Sequence, residues 1–158
     1  MAEKRTVRRS GFSLLELVIV VVIIGIIAAI AIPRMSRGAA GATESALAGN
    51  VTVMRKAIDM YAAEHNGTNP AVATIASQLT LYSSAAGATS ATKDTTYIYG
   101  PYLQSVPSLP VGAKKGNTGI AAADGTSVGW IYNATTGAIS SNTTATEVDA
   151  KGKKYSDY

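Results

Sequence analysis

From Phe12 to Ile32 the chain is apolar at almost every position, broken only by Ser13, Glu16 and Gly25. A helix over that run is about 31 Å long, close to the hydrocarbon thickness of a bilayer. Beyond Pro33 the pattern thins into a stripe: Leu47, Val51, Met54, Ile58 and Tyr61 recur at alternating steps of four and three, which lines one face of a helix. Arg55, Lys56, Asp59 and Glu64 fall off that stripe. Asn66-Gly67 offers the small residue that commonly ends a helix, and Pro70 follows. The two patterns predict one helix from Phe12 to Asn66, about 80 Å long, hydrophobic first and amphipathic later. Pro33 cannot donate its backbone hydrogen bond and costs about 3 kcal/mol in a helix interior. Gly25, Gly38, Gly41 and Gly49 add weak points of about 1 kcal/mol each. A kink or curve is therefore expected near Pro33.

Past the helix the sequence reads as loop, with a short helix over Thr74 to Tyr82 and a flexible Ser/Ala/Gly stretch to Thr92. Tyr99-Gly100-Pro101-Tyr102-Leu103, followed by Pro107 and Pro110, lacks the donors a central strand needs and reads as a connector with aromatic anchors. Val128 to Tyr132 and Gly137 to Ser140 alternate as strands joined through Asn133-Ala134-Thr135-Thr136, an antiparallel hairpin. Trp130 and Tyr132 share a face by two-residue alternation and are expected to pack on the helix stripe. Thr146 to Tyr158 is either a last strand or a mobile tail.

Composition narrows the picture. The chain has 158 residues, room for one long helix and one small domain. Its net charge of +4 belongs mostly to the first eleven residues; removing Lys4, Arg5, Arg8 and Arg9 together with Glu3 leaves +1. The basic balance is thus no argument for nucleic acid. With no cysteine, the domain is expected to rely on packing, hydrogen bonds or an ion rather than disulfides.

Glu16 is the anomaly. A carboxylate in a membrane segment costs about 2.5 to 3.5 kcal/mol at the helix centre on insertion scales, and less near an interface. Cleavage after Gly11 would make Phe12 a new amino terminus and supply a cation near that depth. Within one helix the two groups stand about 6 Å apart along the axis. A staggered neighbouring chain can bring its own Phe12 ammonium to this acid, which would make Glu16 an assembly determinant.

Gly11-Phe12-Ser13-Leu14-Leu15-Glu16, with the apolar run behind it, resembles the processing signal of type IV pilins and type II secretion pseudopilins. Glu16 is the fifth residue after the expected cut, and Gly25 and Pro33 fall where that family tends to carry helix-loosening residues. The resemblance implies that a prepilin peptidase cuts between Gly11 and Phe12 and methylates the Phe12 nitrogen. It also implies that the helix from Gly25 to Pro33 loosens as subunits pack into a filament. The Gly100-Pro101-Tyr102-Leu103 run and its prolines loosely resemble the major, G-type pseudopilins.

Other readings compete at each motif. A secretory signal peptide has an apolar core of only about 7 to 15 residues and leaves Glu16 unexplained. A plain signal anchor is contained in the pilin reading as its state before assembly. The leader charges favour a cytoplasmic N terminus, although Arg34 and Arg37 weaken the asymmetry. His65 is the only histidine, reads as a solvated residue at the helix end, and without cysteine cannot belong to a histidine–cysteine zinc site. Asp124-Gly125-Thr126 is similar to part of the calcium loop of G-type pseudopilins. Calcium takes six to eight oxygens, and one acid among Ser and Thr is more often a turn, so Asp124 is a lone calcium candidate. Asn133-Ala134-Thr135 and Asn142-Thr143-Thr144 fit the glycosylation pattern, but such tripeptides occur by chance and neither carries a role on sequence alone. No nucleophile elbow, phosphate loop or dinucleotide fingerprint occurs, so no catalytic residue, organic cofactor or enzyme activity is expected.

The expected fold is α+β and pilin-like, a long N-terminal helix packed on a small antiparallel sheet. Its expected parts are a cleaved leader (1–11), a transmembrane and filament-core helix (12–33), an amphipathic continuation (34–67) and a small head (68–158). The expected function is that of a processed structural filament subunit. The favoured role is a type II secretion pseudopilin; the alternatives are a type IV pilus major pilin and a monomeric anchored or secreted binding protein. Expected partners are further pilin subunits, the prepilin peptidase and an inner-membrane assembly platform. The expected location is the bacterial inner membrane with the head outside the cytoplasm, then a periplasmic or surface filament.

Overall fold

A computed structural model describes residues 11–158, apart from the side chains of Pro33, Ser36 and Arg37; the leader Met1 to Ser10 lies outside the described residues. Helix α1 runs Leu14–Glu64, through both Gly25 and Pro33. The chain divides into two compact units between Ala39 and Ala40.

In the second unit the helix stripe is the floor of the core. Leu47, Val51, Met54, Ile58 and Tyr61 are all buried, as their spacing requires, and Ala57 joins them. The remaining elements are short: α2 (Ile75–Thr80), β1 (Tyr82–Ser83), β2 (Thr89–Ser90), β3 (Gly119–Ala121), β4 (Val128–Tyr132), β5 (Ile139–Ser141) and a final 3-10 turn, Tyr155–Asp157. Trp130, Tyr132 and Ile139 bring the sheet's inner face into the same core, together with Ile75 and Leu79 of α2 and Leu103 and Leu109 of the connector. Both large aromatics find partners for their polar ends: Trp130 Nε1 donates to the Pro107 carbonyl at 2.8 Å and the Tyr132 hydroxyl to the Pro70 carbonyl at 3.0 Å.

The α+β class and the β4–β5 antiparallel hairpin follow the sequence pattern, with Trp130 opposite Ser141 and Tyr132 opposite Ile139. The sheet itself is mixed, because β3 lies parallel to β4, with a register shift between Gly119 and Ile120. Parallel neighbours usually need a crossover of a dozen residues. Here a short connection suffices because the Gly119 N–H closes onto the Ser127 carbonyl at 3.1 Å and Gly129 has no side chain to collide with the Asn117 carbonyl. The stretch expected to be flexible also carries structure: β1 and β2 pair antiparallel, Tyr82 with Ser90 and Ser83 with Thr89, and Tyr99 bridges to Ser83. The connector is pinned by the Tyr102 and Leu103 N–H groups, both donating to the Leu79 carbonyl at 2.9 and 2.8 Å.

The helix stops at Asn66-Gly67 as its sequence suggests, and the reading of His65 is corrected. The left-handed residue that ends α1 is Asn66 (φ 54°), with Gly67 also at positive φ (80°). The Gly67 N–H reaches back five residues to the Ala62 carbonyl at 2.8 Å, which closes a Schellman motif. His65 is buried, at 5 % exposure, rather than solvated. Its ring stacks on Tyr61 with centroids 3.8 Å apart. Its nitrogens lie 2.8 Å from the Tyr61 carbonyl and 3.0 Å from the Ser84 carbonyl, so the histidine ties the end of α1 to the β1–β2 turn.

Candidate processing and assembly site

The N-terminal unit is built from the residues that close its helix. Gly11, Phe12 and Ser13 precede α1 in non-helical main chain, and Phe12 is 86 % exposed. Ser13 stands at the N-cap. Its hydroxyl accepts the Leu15 N–H at 3.3 Å, and its carbonyl accepts the Leu17 N–H at 3.2 Å. Three residues into the helix Glu16 turns back, and its carboxylate accepts the Ser13 main-chain N–H at 3.3 Å. This is a capping box, Ser-x-x-Glu, which satisfies two of the donors a helix start leaves without partners. The acid also sits in the first turn, where the helix dipole favours negative charge. The Ser-x-x-Glu signature stands in the sequence as Ser13-Leu14-Leu15-Glu16, in front of the apolar run.

Behind the box, Leu14–Ile32 is a span of 19 residues with mean hydropathy 3.2, long and apolar enough to cross a membrane, and none of it is buried against the described protein. Leu14, Leu15, Leu17, Val18, Ile19, Val20 and Val21 are successive exposed apolar side chains. At 3.6 residues per turn they cover every direction around the axis. A helix apolar on all sides requires a nonaqueous surrounding, lipid or other helices.

Residues 7–32 match the prokaryotic N-terminal methylation motif. The methylation motif spans Gly11, Phe12, Glu16 and Gly25 and ends one residue before Pro33. It supports a type IV pilin-like chain processed by a prepilin peptidase and anchored through its N-terminal helix. No curated protein and no solved structure matches the chain.

Outside the methylation motif, the singled-out groups are engaged within the head. Asp124 forms an ion pair with Lys114 and accepts the Asn142 amide at 2.9 Å. Among the described residues no cluster of three acids or histidines could hold a metal ion around it. The C-terminal loop is organised by two other acids. Glu147 accepts the Ala113 N–H at 2.5 Å and the Thr144 N–H at 2.7 Å, and these backbone donors hold its carboxyl below the usual range. Asp149 accepts the Tyr158 hydroxyl at 2.7 Å and the Lys151 and Lys153 N–H groups at 2.8 and 2.9 Å, and is lowered likewise, the Tyr158 hydroxyl contributing most. Tyr158 is pushed up to about 12 by that same bond, with burial adding to it. Arg55, expected only to be off the stripe, donates to the Ile139 and Tyr158 main-chain oxygens at 3.3 and 2.5 Å.

Proposed function

We propose that this chain is the precursor of a filament subunit. The peptidase cuts between Gly11 and Phe12, methylates the Phe12 nitrogen, and the apolar helix then leaves the bilayer to pack with the same helices of other copies. The observation that carries the reading is the coincidence of the methylation motif with a helix start whose only carboxylate, Glu16, lies five residues from the proposed cut, followed by a span with no partner inside its own described chain. Gly11 and Phe12, which flank the proposed cut, precede α1 in non-helical main chain and are exposed.

Glu16 has two roles in this scheme. In the single chain it caps α1 through Ser13. In the filament it exchanges that long bond for the Phe12 ammonium of a neighbour, a charge-assisted contact that is stronger in a low dielectric. Gly25 and Pro33 are the positions where α1 would loosen to let the helices pack. Of the two filament types we favour the secretion pseudopilin, on the Gly100 to Pro110 connector, whose Leu103 and Leu109 anchor it in the head core.

Mass spectrometry of the chain from its native membranes tests the scheme. An N-terminal peptide beginning at N-methylated Phe12 is expected; a chain intact at Met1, or trimmed past Ala31, overturns it. Removing the chain from its host separates the two filament types, because loss of protein export with surface fibres retained is the pseudopilin outcome and the reverse is the pilus outcome.

A further inference from the structure

Four tripeptides in this chain have the Asn-x-Ser/Thr pattern of an asparagine glycosylation acceptor: those starting at Asn50, Asn66, Asn133 and Asn142. The structure separates them. Asn142 is 8 % exposed, and its amide nitrogen is taken by Asp124 and by the Val128 carbonyl at 2.7 Å. Asn50 lies within α1, and its amide donates to the Ser108 carbonyl at 3.2 Å. Asn66 is exposed but is the left-handed residue of the Schellman motif, and the N–H groups of Gly67 and Thr68 are committed to the Ala62 and His65 carbonyls.

Asn133 differs from all three. It is exposed at the tip of the β4–β5 hairpin, two residues before the exposed Thr135. Its side-chain oxygen accepts two main-chain N–H groups, from Thr135 at 2.9 Å and Thr136 at 3.2 Å. Asn69 braces the turn by donating to the Ala134 carbonyl at 3.0 Å, and the Gly137 N–H closes it onto the Asn133 carbonyl at 2.8 Å.

A carboxamide nitrogen is a poor nucleophile because its lone pair is delocalised onto the oxygen. Two N–H donors fixed on that oxygen stabilise the negative charge that grows there as the nitrogen gives up a proton, the arrangement by which preorganised donors lower a barrier. The turn therefore presents an amide prepared for N-alkylation, with the exposed Thr135 two residues on and open to a transferase.

Resting on the reading that the head lies outside the cytoplasm, we propose that Asn133 is a glycosylation site. The donor is a glycan carried on a polyprenyl diphosphate. Asn133 Nδ2 bonds to the sugar's anomeric carbon while the bond from that carbon to the phosphate oxygen breaks. The electron pair of that bond leaves with the lipid diphosphate, and the Nδ2 proton passes to a base of the transferase. No oxidant or reductant is needed.

The test is peptide mass spectrometry on the full chain purified from its native host. Cleavage after Lys115 and Lys151 leaves Asn133 and Asn142 on one peptide, so fragmentation must locate the sugar. A glycan mass on Asn133 is expected, lost completely in Asn133→Gln and in Thr135→Ala and retained in Thr135→Ser, which keeps the hydroxyl and the turn. An unmodified Asn133, or a glycan on Asn66, Asn50 or Asn142 in its place, overturns the proposal. The N-terminal peptide in the same digest reports processing at Phe12 separately, so failure of the filament reading is seen independently of failure at Asn133.

Discussion

The Glu16 carboxylate accepts the main-chain N–H of Ser13, three residues earlier, at 3.3 Å. The acid is therefore a helix cap before it is anything else, and a variant that simply removes it confounds two effects. Glu16→Gln separates them, since glutamine also completes a capping box but carries no charge. If the charge directs assembly, Glu16→Gln and Glu16→Ala should both be cleaved and N-methylated at Phe12 and both fail to form filaments. Electron microscopy of the membrane fraction, with mass spectrometry of the N terminus, reads the two steps separately. Normal filaments from Glu16→Gln would reduce the acid to its capping role.

Leu47 is wholly buried at the start of the stripe that meets the sheet. Leu47→Ala should cost the head about 2 to 5 kcal/mol, the range for deleting a buried leucine side chain with partial relaxation around the cavity. Val53→Ala, one of the exposed positions on the same helix, should cost far less. Trp130, the chain's one tryptophan, is buried in the same core and provides the fluorescence signal for urea unfolding of the full chain in detergent. Equal losses for the two variants would argue against the stripe as the floor of the core.

Much of this was legible before any coordinates. The steps of three and four from Leu47 to Tyr61 can be satisfied only by one buried helical face, and the alternation around Trp130 and Tyr132 only by one buried sheet face. Those patterns are dictated by backbone geometry alone. What escaped the sequence depends on distant partners. His65 looks like any polar residue beside a helix end until Ser83 and Ser84 return eighteen and nineteen positions later to cover it. Strands β1, β2 and β3 have two or three residues each, too few to show alternation. At Asn66-Gly67 the stop was evident, but the choice of which residue turns left-handed was made by the hydrogen bond from Gly67 to Ala62. Of the candidate processing site, the apolar run and the acid were readable, and the proposed cut rests on the resemblance; the capping box Ser13-x-x-Glu16 was readable too, beside the stronger anomaly of a charge in a membrane segment.

His65→Phe keeps a ring against Tyr61 and removes the ring nitrogens that face the Tyr61 and Ser84 carbonyls and the buried Ser83 hydroxyl. Both carbonyls retain a main-chain donor, Tyr61 from the His65 N–H at 3.0 Å and Ser84 from the Gly87 N–H at 2.8 Å. No carbonyl is orphaned, but the wholly buried Ser83 hydroxyl loses its imidazole partner, so the loss should be about 1 to 3 kcal/mol, the cost of a buried polar group left without its partner. Chemical denaturation of the two proteins measures it. A loss several times larger would mean that the histidine does more than tie α1 to the β1–β2 turn.

Calcium should leave the head indifferent. Asp124 already serves Lys114 and Asn142, and calcium would need several further oxygens, for which no acid cluster exists among the described residues. Thermal melts in excess calcium and in chelator should coincide, while Asp124→Ala lowers the melting temperature equally in both. A rise in melting temperature with calcium that disappears in Asp124→Ala would reinstate the ion site.

The pH response of the head follows from its acids and tyrosines. Glu147 and Asp149 titrate below their ordinary values because backbone N–H groups and the Tyr158 hydroxyl hold their charged forms. A lowered carboxyl contributes stability that is complete above its unfolded value of about 4 and disappears as pH falls through the lower folded value, so the head should weaken only in strong acid. Tyrosines give the opposite limb. Tyr132 is pushed up to about 12 by burial, and Tyr158 to about 12 by its bond to Asp149 with burial second. Tyr102 is raised as well, first by burial and then by donating to Glu64 at 2.5 Å. A raised tyrosine favours the folded state fully below about pH 10, where both states are protonated, and loses that contribution as pH rises toward its folded value. Urea midpoints followed through Trp130 fluorescence should therefore be flat near neutrality and fall between pH 10 and 12. Tyr158→Phe should lower the plateau and soften both edges, because it removes the alkaline contribution of Tyr158 and the largest cause of the lowered Asp149. An unchanged acid edge in Tyr158→Phe would show that the backbone donors of Lys151 and Lys153 suffice to hold Asp149 in its charged form.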